Sequence, residues 1–297
     1  MELIVTSDND DRRLDRFLRV SFPSVPLGQI MKSIRTGQVR LDGKRAKQDT
    51  RLAEGQTISV PWGETEQRAS VTQEAKVENV ASLNVLYRDE FVLMVEKPSG
   101  LLTQPSKKGE DSLISRVLKE LNWQRKDYVP ATVQRLDRNT SGIIIVPLTG
   151  KSQRIFAELI KEGKITKIYR AVVRGQVPSE GRIDAPLVKD TKTNTVRVAR
   201  SGETSQSSLT LFRKIKDLKQ GGSLVEANLV TGRPHQARVH LSHIGCPIMG
   251  DMKYGNFHAS RLMLHAYQVT LPEDARLAEL SPKLCGLRVT CHNKMFE

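Results

Sequence analysis

VQRLDRNTSGIIIV, residues 133–146, sets two arginines, an aspartate and a short polar cluster directly before a run of isoleucines. The apolar run is rich in β-branched residues, is bounded by Gly142 and Pro147, and reads as a buried strand. The charged turn therefore opens onto the core. Asp137 is predicted to sit where protein dipoles and cations, not bulk water, hold its carboxylate, which is costly unless the charge is paired. That makes it a candidate for chemistry. The plainer reading is that Asp137 caps the turn or pairs with Arg135 or Arg138, since structural ion pairs also perturb carboxylates. The rest of the chain decides between the two.

Outward from this stretch, from Leu83 onward, FVLMVEK, GIIIVPL, IYRAVVRG, TNTVRVAR, SLVEANLV and RLMLHAYQVTL read as strands, while SLISRVLKEL and SQRIFAELIKE carry helical spacing. In LVTGRPHQARVHLSHIGCPIMGD, Thr231 and Gly232 end a strand, Pro234 suits the first position of a helix, and Gly245 followed by Pro247 stops it. His235, Arg238 and His240 are thus expected on one short helix. Helices and strands are interspersed without regular βαβ alternation, which points to an α+β domain over residues 83–297 on a mixed, largely antiparallel sheet.

Residues 12–60 make a second unit. Leu14, Phe17 and Leu18 recur at helical spacing, as do Ile30, Met31 and Ile34, with Gly37 placed to end the second helix and Asp42-Gly43 a strong hairpin signal. Residues 61–82, with four glutamates and little apolar pattern, read as a linker. The 12–60 segment holds 11 Lys and Arg against four Asp and Glu, half of the net charge of +14 carried by the 297 residues. A basic surplus of that size suggests a polyanionic partner, although a charge run can also be a solvated surface. Three cysteines without a CxxC pair give neither a disulfide framework nor a zinc spacing. The opening MELIVTSDND lacks a signal pattern and no apolar stretch reaches the roughly 20 residues that cross a bilayer, so a cytoplasmic protein without membrane contact is expected.

RLDRNTSG, KIYRA, TGRPHQARVHL, GDMKYG and RLMLHA, in that order, resemble the RluA family of pseudouridine synthases, and VEKPSGLLTQP resembles the lead-in strand and loop of the same enzymes. The likeness runs from about Leu83 to Pro272. It implies an RNA-modifying isomerase in which Asp137 is the catalytic aspartate, Tyr169 stacks on the target base and takes part in proton removal, and Arg238 pairs with the aspartate. It also implies that Arg135 enters the RNA stack when the uridine is extruded, and that Leu262 or Leu264, with Leu264 favoured, lines the pocket beneath the base. The helix pair followed by GQVRLDGKRA and LAEGQTISV resembles the alpha-L RNA-binding fold, which would make Arg16, Lys32, Arg35, Arg40, Lys44 and Arg45 RNA contacts. The chain departs from the family pattern at Gln104 and Gln134, where His is usual, at Pro234 for Thr and at Ala237 for Ile. None of these touches the aspartate, tyrosine or arginine.

Isomerisation through carbon 5 needs no redox change and no incoming group, so a carboxylate nucleophile with base positioning suffices, and neither metal nor nucleotide cofactor is expected. An arginine beside the carboxylate favours its charged form. Whether the carboxylate attacks the anomeric carbon, adds to the ring or abstracts a proton to form a glycal stays open. Two rivals remain at this level: a non-catalytic RNA-binding factor, and a metal-dependent hydrolase using His235, His240 and His243. On a helix His235 and His240 are five apart, about 500° of rotation, on poorly matched faces. The domain pairing favours large-subunit ribosomal RNA as substrate, with transfer RNA second, and a monomeric enzyme.

Overall fold

The computed structural model describes every residue except 66–81, 108, 126–127, 191–192, 194, 219–220 and 256–258. Most of the expected linker lies outside the described residues.

The N-terminal unit contains β1 (Glu2–Ile4), α1 (Leu14–Ser21), α2 (Leu27–Thr36), β2 (Arg40–Leu41), β3 (Lys44–Arg45) and β4 (Thr57–Ser59), with its sheet in the order β1-β4-β2-β3. Gly37 ends α2 with a left-handed φ of 76°, and the Asp42-Gly43 turn has φ of 50° and 73°, the paired positive values that a two-residue hairpin demands. The unit is longer than residues 12–60: β1 pairs with β4, and Val5 and Trp62 are buried in the same core as Leu14, Phe17 and Ile34. Trp62, expected in the linker, packs its ring 5.2 Å from that of Phe22.

The larger unit is built from β5 (Val85–Arg88), β6 (Val92–Lys97), α3 (Leu113–Glu120), β7 (Ser141–Pro147), α4 (Gly150–Lys161), β8 (Thr166–Val173) and β9 (Glu180–Asp184). It continues through β10 (Leu187–Asp190), β11 (Thr195–Val198), β12 (Leu209–Asp217), β13 (Ser223–Leu229), α5 (Gln236–His243), β14 (Leu264–Thr270), α6 (Ala275–Leu280) and β15 (Arg288–Thr290). Nine strands form one sheet in the order β5-β6-β7-β14-β8-β13-β12-β9, with β15 added to β14; β10 and β11 make a separate hairpin. Among the described residues only the β7–β14 pairing of this sheet is parallel, so the sheet is mixed and largely antiparallel, as the sequence pattern implies.

Strand β7 explains the isoleucine run. Every residue from Ser141 to Pro147 is buried. Ile143 and Ile145 face Phe156 and Leu159 of α4 and Leu277 of α6, while Ile144 and Val146 face Leu113 and Val117 of α3. Burying each such side chain contributes roughly 1.5–3 kcal/mol, so the strand is anchored from both sides. At its N-terminal end Gly142 has φ 118°, and a Cβ there would lie 2.3 Å from the Ala266 carbonyl, so only glycine lets β14 come this close.

The two units meet at the N-terminus of α4. Asp8 Oδ1 accepts a hydrogen bond from Gly150 N at 2.7 Å, its other oxygen pairs with Arg125, and Arg154 Nη1 donates to the Asp10 carbonyl at 2.5 Å. A carboxylate at a helix N-terminus is favoured by the orphan N–H groups and the helix dipole. The acidic first residues thus face the large unit, which leaves the basic α2 and hairpin surface of the small unit exposed.

Candidate active site

Asp137 starts the tight turn that feeds β7, closed by Thr140 N donating to the Asp137 carbonyl at 3.1 Å. The turn is gripped from behind by the lead-in loop after β6. The buried Lys97 ammonium donates to the carbonyls of Pro98 (2.9 Å), Leu101 (2.7 Å) and Arg138 (2.9 Å). Burial pushes Lys97 down to about 7, with the Asp137 charge opposing that push and Arg261 adding to it. The three carbonyls, which between them can use every proton of the ammonium, also oppose it. Thr103 Oγ1 donates to the Leu136 carbonyl at 2.9 Å and accepts from Leu136 N at 3.2 Å, and Ser99 Oγ donates to the Asn139 carbonyl at 2.7 Å. The backbone on both sides of the aspartate is therefore fixed.

The carboxylate is 29% exposed and lies at the wall of a cavity of about 690 Å³, which Tyr169, Leu264, Arg135, His235 and Arg238 also line. Arg238, on α5, donates from Nη1 to Asp137 Oδ2 at 2.8 Å. Its remaining edge is bidentate to Asp251, with Nε to Oδ2 at 2.8 Å and Nη2 to Oδ1 at 2.9 Å. Asp251 is 1% exposed and also accepts from Lys253 N and Tyr254 N. Burial by itself would raise the Asp251 carboxyl, but Arg238 and the two backbone N–H groups overcome it and hold it below the usual range. On Arg238 burial works against the charge, and the two carboxylates more than offset it, so the guanidinium is held charged.

Tyr169 stands on β8 between Ala227 of β13 and Ala266 of β14. Burial, then the Asp137 charge, pushes its phenol well up, so the ring presents a neutral hydroxyl to the cavity. Leu264 opens β14 and lines the cavity; Leu262, also buried, does not. Arg135 is exposed on the rim with no partner among the described residues. The turn thus brings Asp137, Tyr169, Arg238, Arg135 and Leu264 to one cavity.

The expected start of the helix needs correction. Helix α5 begins at Gln236, one turn position after His235, whose φ is 55°, so Pro234 is not its first residue. Gln236 is the reason: its Oε1 accepts from Thr231 Oγ1 and Arg233 N, and its Nε2 donates to the Leu209 carbonyl and Thr210 Oγ1, which pins the entry loop. His235 consequently faces the cavity, while His240 is buried with Nδ1 on Thr210 Oγ1 and Nε2 on the Ala185 carbonyl, and His243 is exposed. The three histidines do not converge. Glu96, His265 and Cys291 do lie close together, but His265 already uses both nitrogens, on Ser141 Oγ and the Cys291 carbonyl.

Of the basic residues expected to meet RNA, Lys32, Arg35 and Arg45 line one groove of the small unit, together with Lys47, which the sequence pattern does not single out. Arg16 and Lys44 are exposed outside that groove. Arg40 donates to the carbonyls of Gly37 and Gly43, so it also ties the hairpin to the end of α2. Gln104 Nε2 donates to Thr132 Oγ1 and Gln134 Nε2 to the Ile143 carbonyl; both departures from the family pattern act in loop packing around the turn. Lys97, Thr103, Asp251 and Tyr254 are residues around the site that the sequence pattern does not assign, and His235 enters the sequence reading only as a candidate metal ligand.

A family model described as RNA pseudouridylate synthase matches residues 91–243. The chain is 34% identical over 257 residues to the ribosomal large subunit pseudouridine synthase C of Yersinia pestis, across 85% of this chain and 79% of that protein. It is 32% identical over 266 residues to the protein of the same name from Escherichia coli K12, across 88% of this chain and 82% of the relative. Among solved structures, human RNA pseudouridylate synthase domain containing 1 superposes with a TM-score of 0.60 at 25% identity, covering 73% of this chain and 86% of that one. Residue pattern, fold and cavity agree with these matches: the chain belongs to the RNA pseudouridylate synthase family, in its RluA branch, and is an isomerase.

Proposed function

We propose that this enzyme converts uridines of large-subunit ribosomal RNA to pseudouridine, with Asp137 as its essential carboxylate. The observation that carries the reading is the Asp137 carboxylate, held by Arg238 at 2.8 Å, in a cavity walled by Tyr169 and Leu264. The names of the Yersinia pestis and Escherichia coli relatives support the substrate class. In the reaction the bond from ribose C1′ to N1 breaks, a bond from C1′ to C5 forms, the C5 proton leaves and N1 gains one. A stacked uridine is out of reach, so it is extruded at a cost on the order of a few kcal/mol. Arg135, long, planar and exposed at the rim, fills the gap. Tyr169 stacks on the uracil and Leu264 forms the floor beneath it. No metal or nucleotide takes part, and the enzyme works as a cytoplasmic monomer; no helix among the described residues is long and apolar enough to cross a membrane.

Mapping pseudouridines across total RNA with and without the gene tests the substrate. Loss of sites in large-subunit ribosomal RNA is the expected result; loss confined to transfer RNA would reassign it, and no loss would return the protein to the class of RNA-binding factors.

The N-terminal unit serves in this reading as an alpha-L domain that grips the phosphate backbone through the groove of Lys32, Arg35, Arg45 and Lys47. Replacing Lys32, Arg35 and Arg45 with Gln will weaken RNA binding and flatten its logarithmic salt dependence by roughly 0.7 to 0.9 for each phosphate that the variant no longer neutralises. Affinity titrated at several salt concentrations measures it. An unchanged slope would make the groove an ordinary solvated surface.

A further inference from the structure

Helix α5 and the loop after it surround Asp137 asymmetrically. Oδ2 accepts from Arg238, whereas among the described residues Oδ1 accepts no hydrogen bond and has the imidazole Nε2 of His235 at 3.7 Å. That imidazole is held from its other side. Tyr254 accepts from Val196 N at 3.1 Å and lies 2.6 Å from His235 Nδ1. With the Val196 N–H already directed at the tyrosine oxygen, the phenolic hydrogen is available to Nδ1, which makes Nδ1 the acceptor and puts the ring hydrogen of neutral His235 on Nε2, toward Asp137. A lone pair on Nε2 facing the carboxylate would be repelled, which selects the same tautomer.

We propose that His235 is a positioning residue for Asp137: oriented by Tyr254 as the Nε2–H tautomer, it sets the direction of the Oδ1 oxygen that Arg238 leaves free to react. This rests on the reading of Asp137 as the reacting carboxylate.

Three further observations agree. His235 occupies left-handed backbone space at φ 55°, a conformation uncommon for a residue other than glycine, and one that turns the ring into the cavity and away from the helix surface. Burial holds the imidazole below its usual range, with Asp137 and Asp251 opposing that shift and Arg238 and Lys253 adding to it, so the neutral ring is the resting form. Tyr254 also lies under Arg238, with the guanidinium carbon 4.9 Å from its ring centre, and its backbone N–H donates to Asp251. One short stretch, GDMKYG at 250–255, therefore supports both groups that flank the nucleophile: Asp251 through Arg238, Tyr254 through His235.

Single-turnover isomerisation at saturating RNA, read beside RNA affinity, tests the proposal. His235→Phe keeps a planar ring but removes both nitrogens, and displacing a reacting oxygen by about 1 Å costs on the order of 10²-fold, so the chemical step will slow by about that factor while affinity stays within about twofold. His235→Gln, which keeps a side-chain N–H donor at this position, will recover most of the lost rate. Tyr254→Phe will lose about three- to tenfold, the equivalent of one hydrogen bond. The double variant His235→Phe with Tyr254→Phe will be no slower than His235→Phe, because the two act in series. Wild-type turnover by His235→Phe or by Tyr254→Phe overturns the proposal. So does a Gln variant no faster than the Phe variant, a loss that appears in affinity in place of rate, or additive losses in the double variant. Should His235→Phe lower the melting temperature so far that it cannot be assayed, Tyr254→Phe and His235→Gln still decide the question. Asp137→Asn is run alongside: its activity would sink the reading of Asp137, whereas an inert Asp137→Asn beside a fully active His235→Phe sinks only the role given to His235.

Discussion

Asp137→Asn will lower pseudouridine formation by on the order of 10⁴-fold or more while leaving RNA affinity close to that of the wild type. The change preserves volume and keeps an oxygen for Arg238, whose Nη1 now donates to Asp137 Oδ2 at 2.8 Å. It removes the negative charge and puts an amide nitrogen in place of the second carboxylate oxygen. Arg238 does not become stranded, because its Nε and Nη2 remain bidentate to Asp251. The turn itself is held through its backbone carbonyls by Lys97, Thr103 and Ser99, none of which bonds to the Asp137 side chain. Fold and RNA grip should therefore survive, and the loss should fall on the chemical step. Release of tritium from C5 of labelled uridine measures it, with filter binding of the same RNA as the control. Turnover near the wild-type rate would falsify the assignment of Asp137.

Much of this site is legible in local pattern because its key residues lie within short motifs. The isoleucine run is buried on both faces, so it lacks the alternation of a half-exposed strand, and a continuous apolar stretch bounded by Gly and Pro is the pattern such burial leaves. Asp137 stands out as a charged residue set directly before a buried strand, whereas Arg238 is singled out only by the likeness of TGRPHQARVHL to the family motif. What escapes local pattern is interaction across distance. Lys97 and Thr103 reach carbonyls of residues 138 and 136, some forty and thirty positions away, and nothing in a lysine before a proline says which carbonyls it will meet. The acidic start of the chain shows no periodicity, yet its three-residue strand pairs with Thr57–Ser59 and its Asp8 caps Gly150. A Cβ at Gly150 would sit 1.7 Å from the Asp8 carbonyl oxygen, so the docking of the two units depends on a glycine that local reading would pass over. Strand β12 escapes for a different reason: its outward face carries Leu211 and Ile215 among charged residues, which blurs the period of two. His235 is expected inside α5 because proline commonly opens helices; the side chain of Gln236, bonded to four groups at the entry loop, moves the start past it.

Asp251→Ala is expected to be the most damaging substitution for stability around the site, at about 3–5 kcal/mol, because it leaves a buried guanidinium with half of its partners gone. Arg238 is 13% exposed and Asp251 1%, so neither is compensated by solvent. The Lys253 and Tyr254 N–H groups lose their acceptor as well, which loosens the loop that carries the tyrosine. The pH dependence follows from the direction of the Asp251 shift. A carboxyl held below its unfolded range contributes stability that is complete above about 3.9, the ordinary aspartate value, and is lost as pH falls through the folded value. The stability gap between the wild type and Asp251→Asn should thus be full at neutral pH and shrink only in strong acid, as chemical denaturation at several pH values would show. Replacing a buried ion pair by apolar residues is often neutral, so Asp251→Leu combined with Arg238→Met should regain much of the stability that Asp251→Ala loses. It should not regain activity, since Asp137 would then face the cavity without the cation that orients Oδ2. Recovery of stability together with turnover would mean that Arg238 serves only to neutralise Asp251; recovery of stability alone assigns the buried aspartate the task of aiming the arginine at Asp137.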